Sequence, residues 1–179
     1  MRAVVGLGNP GPDYAATRHN AGYWLADAVA AQWGLPPFRR AERAVATAGE
    51  VDGVPVRILK PTTYMNRSGA ALASLRADPA FDPARDLLIL VDDFNIPGGT
   101  FRLRADGSAG GHNGLKSIEG ALQSQQYARL RIGVGPLPPD LAWEDYVLAP
   151  FTAAEREQLE ALQPTLLEAV AGWVREGLH

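Results

Sequence analysis

Three short segments hold the side chains best suited to chemistry. The first is Gly6-Leu7-Gly8-Asn9-Pro10-Gly11, running on to Thr17-Arg18-His19-Asn20. The second is Thr62-Thr63-Tyr64-Met65-Asn66, and the third is Gly110-Gly111-His112-Asn113-Gly114. Between the last two, Asp92-Asp93 closes the hydrophobic run Leu87-Leu88-Ile89-Leu90-Val91. Histidine, carboxylate and carboxamides in a chain without cysteine suit hydrolysis by an activated water. His19 stands just before a predicted helix, whose dipole favours the neutral imidazole that a general base needs near pH 7. A nearby aspartate would oppose the dipole while fixing the tautomer through a hydrogen bond. Of the other histidines, His112 lies in a glycine-rich loop and His179 is the last residue. Side chains alternate along a strand, so one of Asp92 and Asp93 can point into a site and the other away, and the pattern does not choose between them. Asn9, Asn66 and Asn113 each stand where a turn or cap is wanted. Each also offers a donor and an acceptor with which to hold a carbonyl, orient a water or stabilise an oxyanion.

These residues need elements to position them. Residues 2–7 read as a buried strand ending in a glycine-rich turn, which leaves Asn9 exposed at the strand's C-terminal end. Asn20 is the predicted N-cap of a helix through Trp33, with Trp24, Leu25, Ala28, Val29 and Trp33 on one face. Residues 43–51 and 54–60 read as a hairpin joined through Asp52-Gly53. A helix is expected over about 68–76, a central strand over 87–91, a strand over 100–104, a helix over 113–123 and a strand over 128–134. The proline-containing stretch within 136–150 reads as a lid-like loop. Thr152-Ala153-Ala154-Glu155 is a capping box opening a C-terminal helix over about 152–176, which Pro164 should kink or split. Strands alternating with helices, without repeat or linker, predict one α/β domain over 1–179 with a mostly parallel or mixed sheet.

Gly6, Gly8 and Gly11 match G-x-G-x-x-G, but the context fails. That fingerprint needs a helix to begin at the glycines, and here Pro10, Pro12 and Asp13 follow instead. A tight turn after a core strand is the better reading. No H-E-x-x-H or other metal-ligand spacing and no G-x-S-x-G elbow is present, so no metal and no cofactor is expected.

At 179 residues, 46% hydrophobic and 21% charged, the chain suits a folded domain with a real core. Its first residues are too short an apolar run for a signal peptide, and residues 87–91 are too short to cross a membrane. The expectation is a soluble, cytoplasmic protein. A net charge of −3 gives no global field for nucleic acid, so such a partner needs a local basic patch. Arg102 and Arg104, then Arg129 and Arg131, recur at period two and with Lys116 make a candidate phosphate-binding face.

In combination, these segments resemble bacterial peptidyl-tRNA hydrolase. The matching stretches run from Val5 to Gly11, include Tyr14 and Thr17-Arg18-His19-Asn20-Ala21-Gly22, and continue through Lys60-Pro61-Thr62-Thr63-Tyr64-Met65-Asn66 with Ser68-Gly69. They resume at the strand into Asp92-Asp93, at Gly110 to Lys116, and at Arg129-Leu130-Arg131-Ile132-Gly133-Val134-Gly135. The resemblance implies a single α/β domain with a twisted mixed β-sheet flanked by α-helices, acting as a monomer without metal. It implies hydrolysis of the ester between a peptide, or N-blocked amino acid, and the 3′-terminal ribose of tRNA, recycling peptidyl-tRNA released early from ribosomes. In that reading His19 is the general base, Asp92 rather than Asp93 supports it, and Asn9 discriminates peptidyl from free aminoacyl ends. Tyr14, Tyr64, Asn66 and Asn113 match positions that contact the substrate's 3′ end, and Met65 one that lines the peptide groove. Arg102, Arg104 and Arg131 match basic positions expected to meet tRNA phosphate. The alternative is a non-catalytic RNA-binding protein on the same fold; His19, Asp92 and the three asparagines together favour the enzyme.

Overall fold

The structure is a computed structural model that describes residues 1–178; His179 lies outside the described residues. The chain runs through β1 (Arg2–Gly6), a one-turn 3-10 helix (Arg18–Asn20), α1 (Ala21–Gln32), β2 (Arg39–Ala41), β3 (Ala44–Val51) and β4 (Val54–Pro61). A 3-10 segment (Met65–Leu72) then leads into the short helices α2 (Ala73–Arg76) and α3 (Pro83–Asp86). β5 (Leu87–Pro97), β6 (Phe101–Arg104), α4 (Asn113–Leu122), β7 (Ala128–Gly135), α5 (Trp143–Val147) and α6 (Ala153–Glu176) complete it.

The seven strands form one mixed sheet in the order β2-β3-β4-β1-β5-β7-β6. β4, β1, β5 and β7 are parallel neighbours, while β2, β3 and β6 pair antiparallel at the two edges. The β3–β4 hairpin turns at Asp52-Gly53, both with positive φ, as the tight primed turn requires.

Central parallel strands are buried on both faces, and their alternation divides the core. Val4, Leu88, Leu90, Leu130 and Ile132 face α1 and α6, meeting Leu25, Val29, Leu166, Val170 and Trp173. Val5, Leu87, Ile89 and Val91 face the other way, onto Leu72, Leu75, Leu115 and Ile118 of the 3-10 segment, α2 and α4.

The chain leaves β1 for β4 on one side and later returns as β5 on the other. Ligand sites of open α/β sheets lie at such a switch, outside the carboxyl ends of the strands. Two glycines let α1 press into that place. A Cβ on Gly22 would sit 2.3 Å from the Leu90 carbonyl oxygen, and one on Gly6 2.3 Å from that of Gly22. Tyr23 N donates to Leu7 O and Leu7 N to Leu90 O, so the turn carrying His19 is sewn to the ends of β1 and β5.

Several elements depart from sequence expectation. β5 runs on past Asp92-Asp93 to Pro97, because β7 pairs with it beyond the aspartates. The stretch expected as one helix over about 68–76 divides into the end of a 3-10 segment, itself kinked earlier at Arg67, and the single α turn of α2. α5 occupies part of the expected 136–150 loop. The capping box at Thr152 and Glu155 is present, but Pro164 does not split α6. Pro164 is solvent-exposed, so the carbonyl it leaves without an N–H partner can be satisfied by water.

Candidate active site

His19, Asp92 and His112 come together where β1, β5 and α4 meet. Asp92 is buried midway along β5, with 1% of its surface exposed, and its two oxygens serve two histidines. Oδ2 lies 2.8 Å from Nδ1 of His19, and Oδ1 lies 2.9 Å from Nε2 of His112. The two rings sit 5.0 Å apart, tilted at 47°.

Hydrogen bonding assigns the protons. Nδ1 of His112 accepts the backbone N–H groups of Gly114 and Leu115 at 3.0 and 3.3 Å, capping α4. A nitrogen that accepts two donors carries no proton, so the His112 proton is on Nε2 and is donated to Asp92. The second carboxylate oxygen then takes Nδ1–H of His19. That leaves Nε2 of His19, which has no partner among the described residues, as a bare acceptor.

Charge follows the same geometry. Burial pushes the His19 pKa down, but the charge of Asp92 and its hydrogen bond outweigh burial and raise it. Burial alone would raise the Asp92 carboxyl. Attraction to His19 and then His112, with both hydrogen bonds, holds it well below the usual carboxylate range. His19, Asp92 and His112 also offer donor atoms within 4.8 Å of one another, close enough for a metal. The cap on Nδ1 argues against that use, because it keeps the proton on the His112 nitrogen that would have to bind the ion.

Two clefts open on either side of this cluster. One, of about 190 Å³, is lined by Asn9, His19, Tyr64, Met65, Asn66 and Asn113, with α5 as its wall. The other, of about 220 Å³, is lined by His19, Asp92, Asp93, His112 and Arg131, again with Trp143 and Val147 of α5. Asp93 therefore also borders the site, but it turns to Arg131 at 3.4 Å rather than to a histidine.

Asn9 is buried rather than exposed, and the reason lies in its partners. Asn20 does not cap α1 with its side chain. Instead its carboxamide pairs with the backbone of Asn9, accepting from N at 2.9 Å and donating to O at 3.0 Å. Oδ1 of Asn9 accepts from Met65 N at 2.8 Å, which orients the side chain so that its Nδ2 is a donor without a protein partner. Tyr64 is held at φ 64°, ψ 157°, a conformation unfavourable for any L side chain, and so delivers Met65 N to Asn9. Tyr64 is exposed, and the ring of Tyr14 meets it edge-on at 6.3 Å. Because His112 takes the capping role, Asn113 is the first residue of α4 and its side chain is left for the cleft.

The basic face divides. Arg102 and Arg104 are exposed on edge strand β6, outside both clefts. Arg131 borders a cleft and donates to Ser108 O at 2.7 Å. Arg129 is fully buried, donating to the carbonyls of Gly107, Gln125 and Tyr127, and so cannot meet a phosphate. Sequence reading leaves His112 without a role. The signal it carried was its position directly before a helix, where a side-chain acceptor is wanted.

The family model for peptidyl-tRNA hydrolase matches residues 3–179. The chain is 44% identical over 182 residues to a peptidyl-tRNA hydrolase of Gemmatimonas aurantiaca, covering 99% of this chain and 95% of that one. It is 43% identical to that of Chloroflexus aggregans, with coverage of 99% and 95%. A crystal structure of peptidyl-tRNA hydrolase from Acinetobacter baumannii superposes with a TM-score of 0.90 at 33% identity, covering 98% of this chain and 89% of that one.

Proposed function

The chain belongs to the peptidyl-tRNA hydrolase family, and we propose that His19 is the general base of its ester hydrolysis. The enzyme is a hydrolase acting on the ester that joins a peptide to the 3′-terminal ribose of tRNA. Nε2 of His19 takes a proton from water, and the hydroxide oxygen bonds to the ester carbonyl carbon. Asn9 Nδ2 donates to the oxyanion that forms, with Asn113 beside it. The intermediate collapses by breaking the bond to the ribose 3′-oxygen, which takes the proton back from the His19 imidazolium. Asp92 holds His19 in the required tautomer and stabilises the imidazolium while it exists. An oxyanion donor of this kind contributes on the order of 3 kcal/mol to the transition state.

Tyr64, Met65 and Asn66 line the cleft beside Asn9, with Tyr14 against Tyr64 outside its lining, and these four are proposed to hold the acyl and 3′-terminal groups. Arg102, Arg104 and Arg131 are proposed to meet tRNA phosphates. The second N–H of Asn9 Nδ2, donated to the amide carbonyl that only a peptide or N-blocked end presents, would discriminate against free aminoacyl ends. The segment 136–150, with α5, is proposed as a lid over both clefts. The proposal extends to a monomer working without metal in the cytoplasm, recycling tRNA from prematurely released peptidyl-tRNA. Among the described residues no helix is long and apolar enough to cross a membrane.

The observation that carries the mechanism is the free Nε2 of His19 behind a buried Asp92 that is itself locked by His112. The test measures release of N-acetyl-amino acid from N-acetyl-aminoacyl-tRNA in EDTA, with wild type and His19→Ala side by side. Release by wild type that collapses by at least about a thousandfold in the variant is expected. Equal release by both proteins would remove His19 from its role, and loss of wild-type release in EDTA would remove the metal-free mechanism.

A further inference from the structure

Arg18 precedes the proposed base and is buried, yet it touches neither cleft. Its guanidinium engages three groups. Nε and Nη2 donate to the two oxygens of Glu155 at 2.9 and 2.7 Å, a forked pair. Nη1 donates to the carbonyl of Tyr146 at 2.9 Å, and the guanidinium carbon lies 4.0 Å from the centre of the Tyr146 ring.

Each partner belongs to the other side of the site. Tyr146 is in α5, whose Trp143 and Val147 line both clefts and whose Glu144 lines one. Glu155 is in the first turn of α6, where the same carboxylate accepts Thr152 N at 2.9 Å and completes the cap. The backbone repeats the connection. Arg18 N donates to Ala149 O at 3.1 Å, Phe151 N donates to Ala16 O at 3.0 Å, and Thr17 bridges Pro150. Residues 16–18 and 146–155 are thus stitched together, with one planar, five-donor side chain as the central tie. The fork matters, because lysine offers the charge but cannot engage two carboxylate oxygens, a carbonyl and a ring face at once.

We propose that Arg18 is a positioning residue that fixes α5 as the shared wall of both clefts at a set height above His19, and so determines how firmly substrate is captured. The inference rests on the reading of these clefts as the substrate site. The triad of His19, Asp92 and His112 is held from β5 and α4, independently of Glu155 and Tyr146. Loosening the wall therefore weakens capture without altering the acidity of the base.

Two kinds of measurement test this on the full chain, with Arg18→Gln and the milder Arg18→Lys. Backbone hydrogen exchange over 143–149 is expected to quicken by at least about tenfold in Arg18→Gln, with β5 unchanged. Steady-state kinetics with N-acetyl-aminoacyl-tRNA, well below the melting temperature, are expected to show KM raised about tenfold, the acidic limb of the pH profile in place, and Arg18→Lys intermediate. Folded variants with unchanged KM and unchanged exchange would reduce Arg18 to a stability contact and overturn the proposal. A shifted acidic limb or a fall in kcat at unchanged KM would also overturn it, placing Arg18 behind His19 instead. Exchange needs no substrate, so quickened exchange with unaltered KM would leave the wall contact standing while refuting its role in capture. If wild-type activity proved independent of His19, the site reading would fail, whatever Arg18 did to exchange.

Discussion

Replacing Asp92 with asparagine tests the arrangement of protons at its weakest point. The wild-type carboxylate accepts two N–H groups, Nδ1–H of His19 and Nε2–H of His112. A carboxamide offers one acceptor and one donor, so both histidines cannot keep their tautomers. His112 cannot yield, because its Nδ1 is held bare by Gly114 and Leu115. The asparagine oxygen must therefore turn to His112 and its NH2 to His19. His19 then accepts at Nδ1 and carries its proton on Nε2, the atom that should be taking one from water. The charge is lost as well. Opposite charges about 4 Å apart at an effective dielectric of about 20 attract by roughly 4 kcal/mol, which is about a thousandfold in rate.

Asp92→Asn should accordingly lower kcat about a thousandfold at pH 8 in a single-turnover assay with saturating enzyme. The acidic limb should move in a stated direction. Activity is lost as pH falls through the folded pKa of His19, which Asp92 raises in the wild type. Without the carboxylate, burial prevails and the residual activity should persist to lower pH. Nitrogen NMR should find the His19 proton on Nε2. Adding His112→Ala frees the asparagine oxygen to turn to His19, so the double variant should recover part of the activity lost by Asp92→Asn alone, at some cost to the uncapped α4. A double variant no better than the single, or an acidic limb that stays or rises, would refute the assignment of tautomers.

Other perturbations probe separate parts of the site. Asn9→Asp keeps the acceptor for Met65 N but loses the Nδ2 donor; kcat should drop about a hundredfold with the melting temperature nearly unchanged, and a loss under fivefold would exclude Asn9 as an oxyanion donor. Arg102→Ala with Arg104→Ala should raise KM for tRNA substrates and flatten its dependence on salt by roughly one logarithmic unit for each phosphate no longer neutralised; an unchanged salt slope would take β6 out of RNA binding. Burial alone would raise the Glu155 carboxyl, but the Arg18 fork and the Thr152 N–H lower it to about 2 from an ordinary 4.5. Its stabilising contribution is complete above that ordinary value and is lost as pH falls toward 2. Urea unfolding of Glu155→Gln should therefore depend less on pH between about 5 and 2 than wild type, and parallel curves would contradict the fork.

What the sequence reveals and what it hides follows from where each interaction is made. The elements carrying His19, Asp92 and Asn9 are readable because buried strands, glycine turns and helix starts are local features with local causes. The hairpin at Asp52-Gly53 and the capping box at Thr152 and Glu155 are readable for the same reason. Asn20 takes the expected N-cap position, but its side chain does not cap, because that local preference loses to a pairing with Asn9, eleven residues away, that satisfies two backbone groups at once. Period two correctly places Arg129 and Arg131 on one face of β7, yet only a neighbour remote in sequence decides their fates. Gly107 and Ser108 accept from the two guanidinium groups, so the loop leading to His112 closes over Arg129 and leaves Arg131 at its rim.

His112 shows why site residues are harder to read than folds. Its loop position suggests nothing, and neither of its hydrogen-bonding roles would alone make it a functional residue. Capping α4 is ordinary, and a histidine beside an aspartate is ordinary. Joined in one ring they become directional, because a cap on Nδ1 decides where the proton lies, and that proton decides which oxygen of Asp92 remains for His19. The proposed general base is oriented by Asp92, and the backbone amides of α4, two hydrogen bonds beyond Asp92 and never touching His19, hold His112 as a donor to that same carboxylate. A helix terminus can in this way fix the tautomer of His112 and commit one oxygen of a buried carboxylate to accepting, while the ionised carboxylate itself requires the proton on Nδ1 of His19, and the arrangement exists only once β5 and α4 have packed.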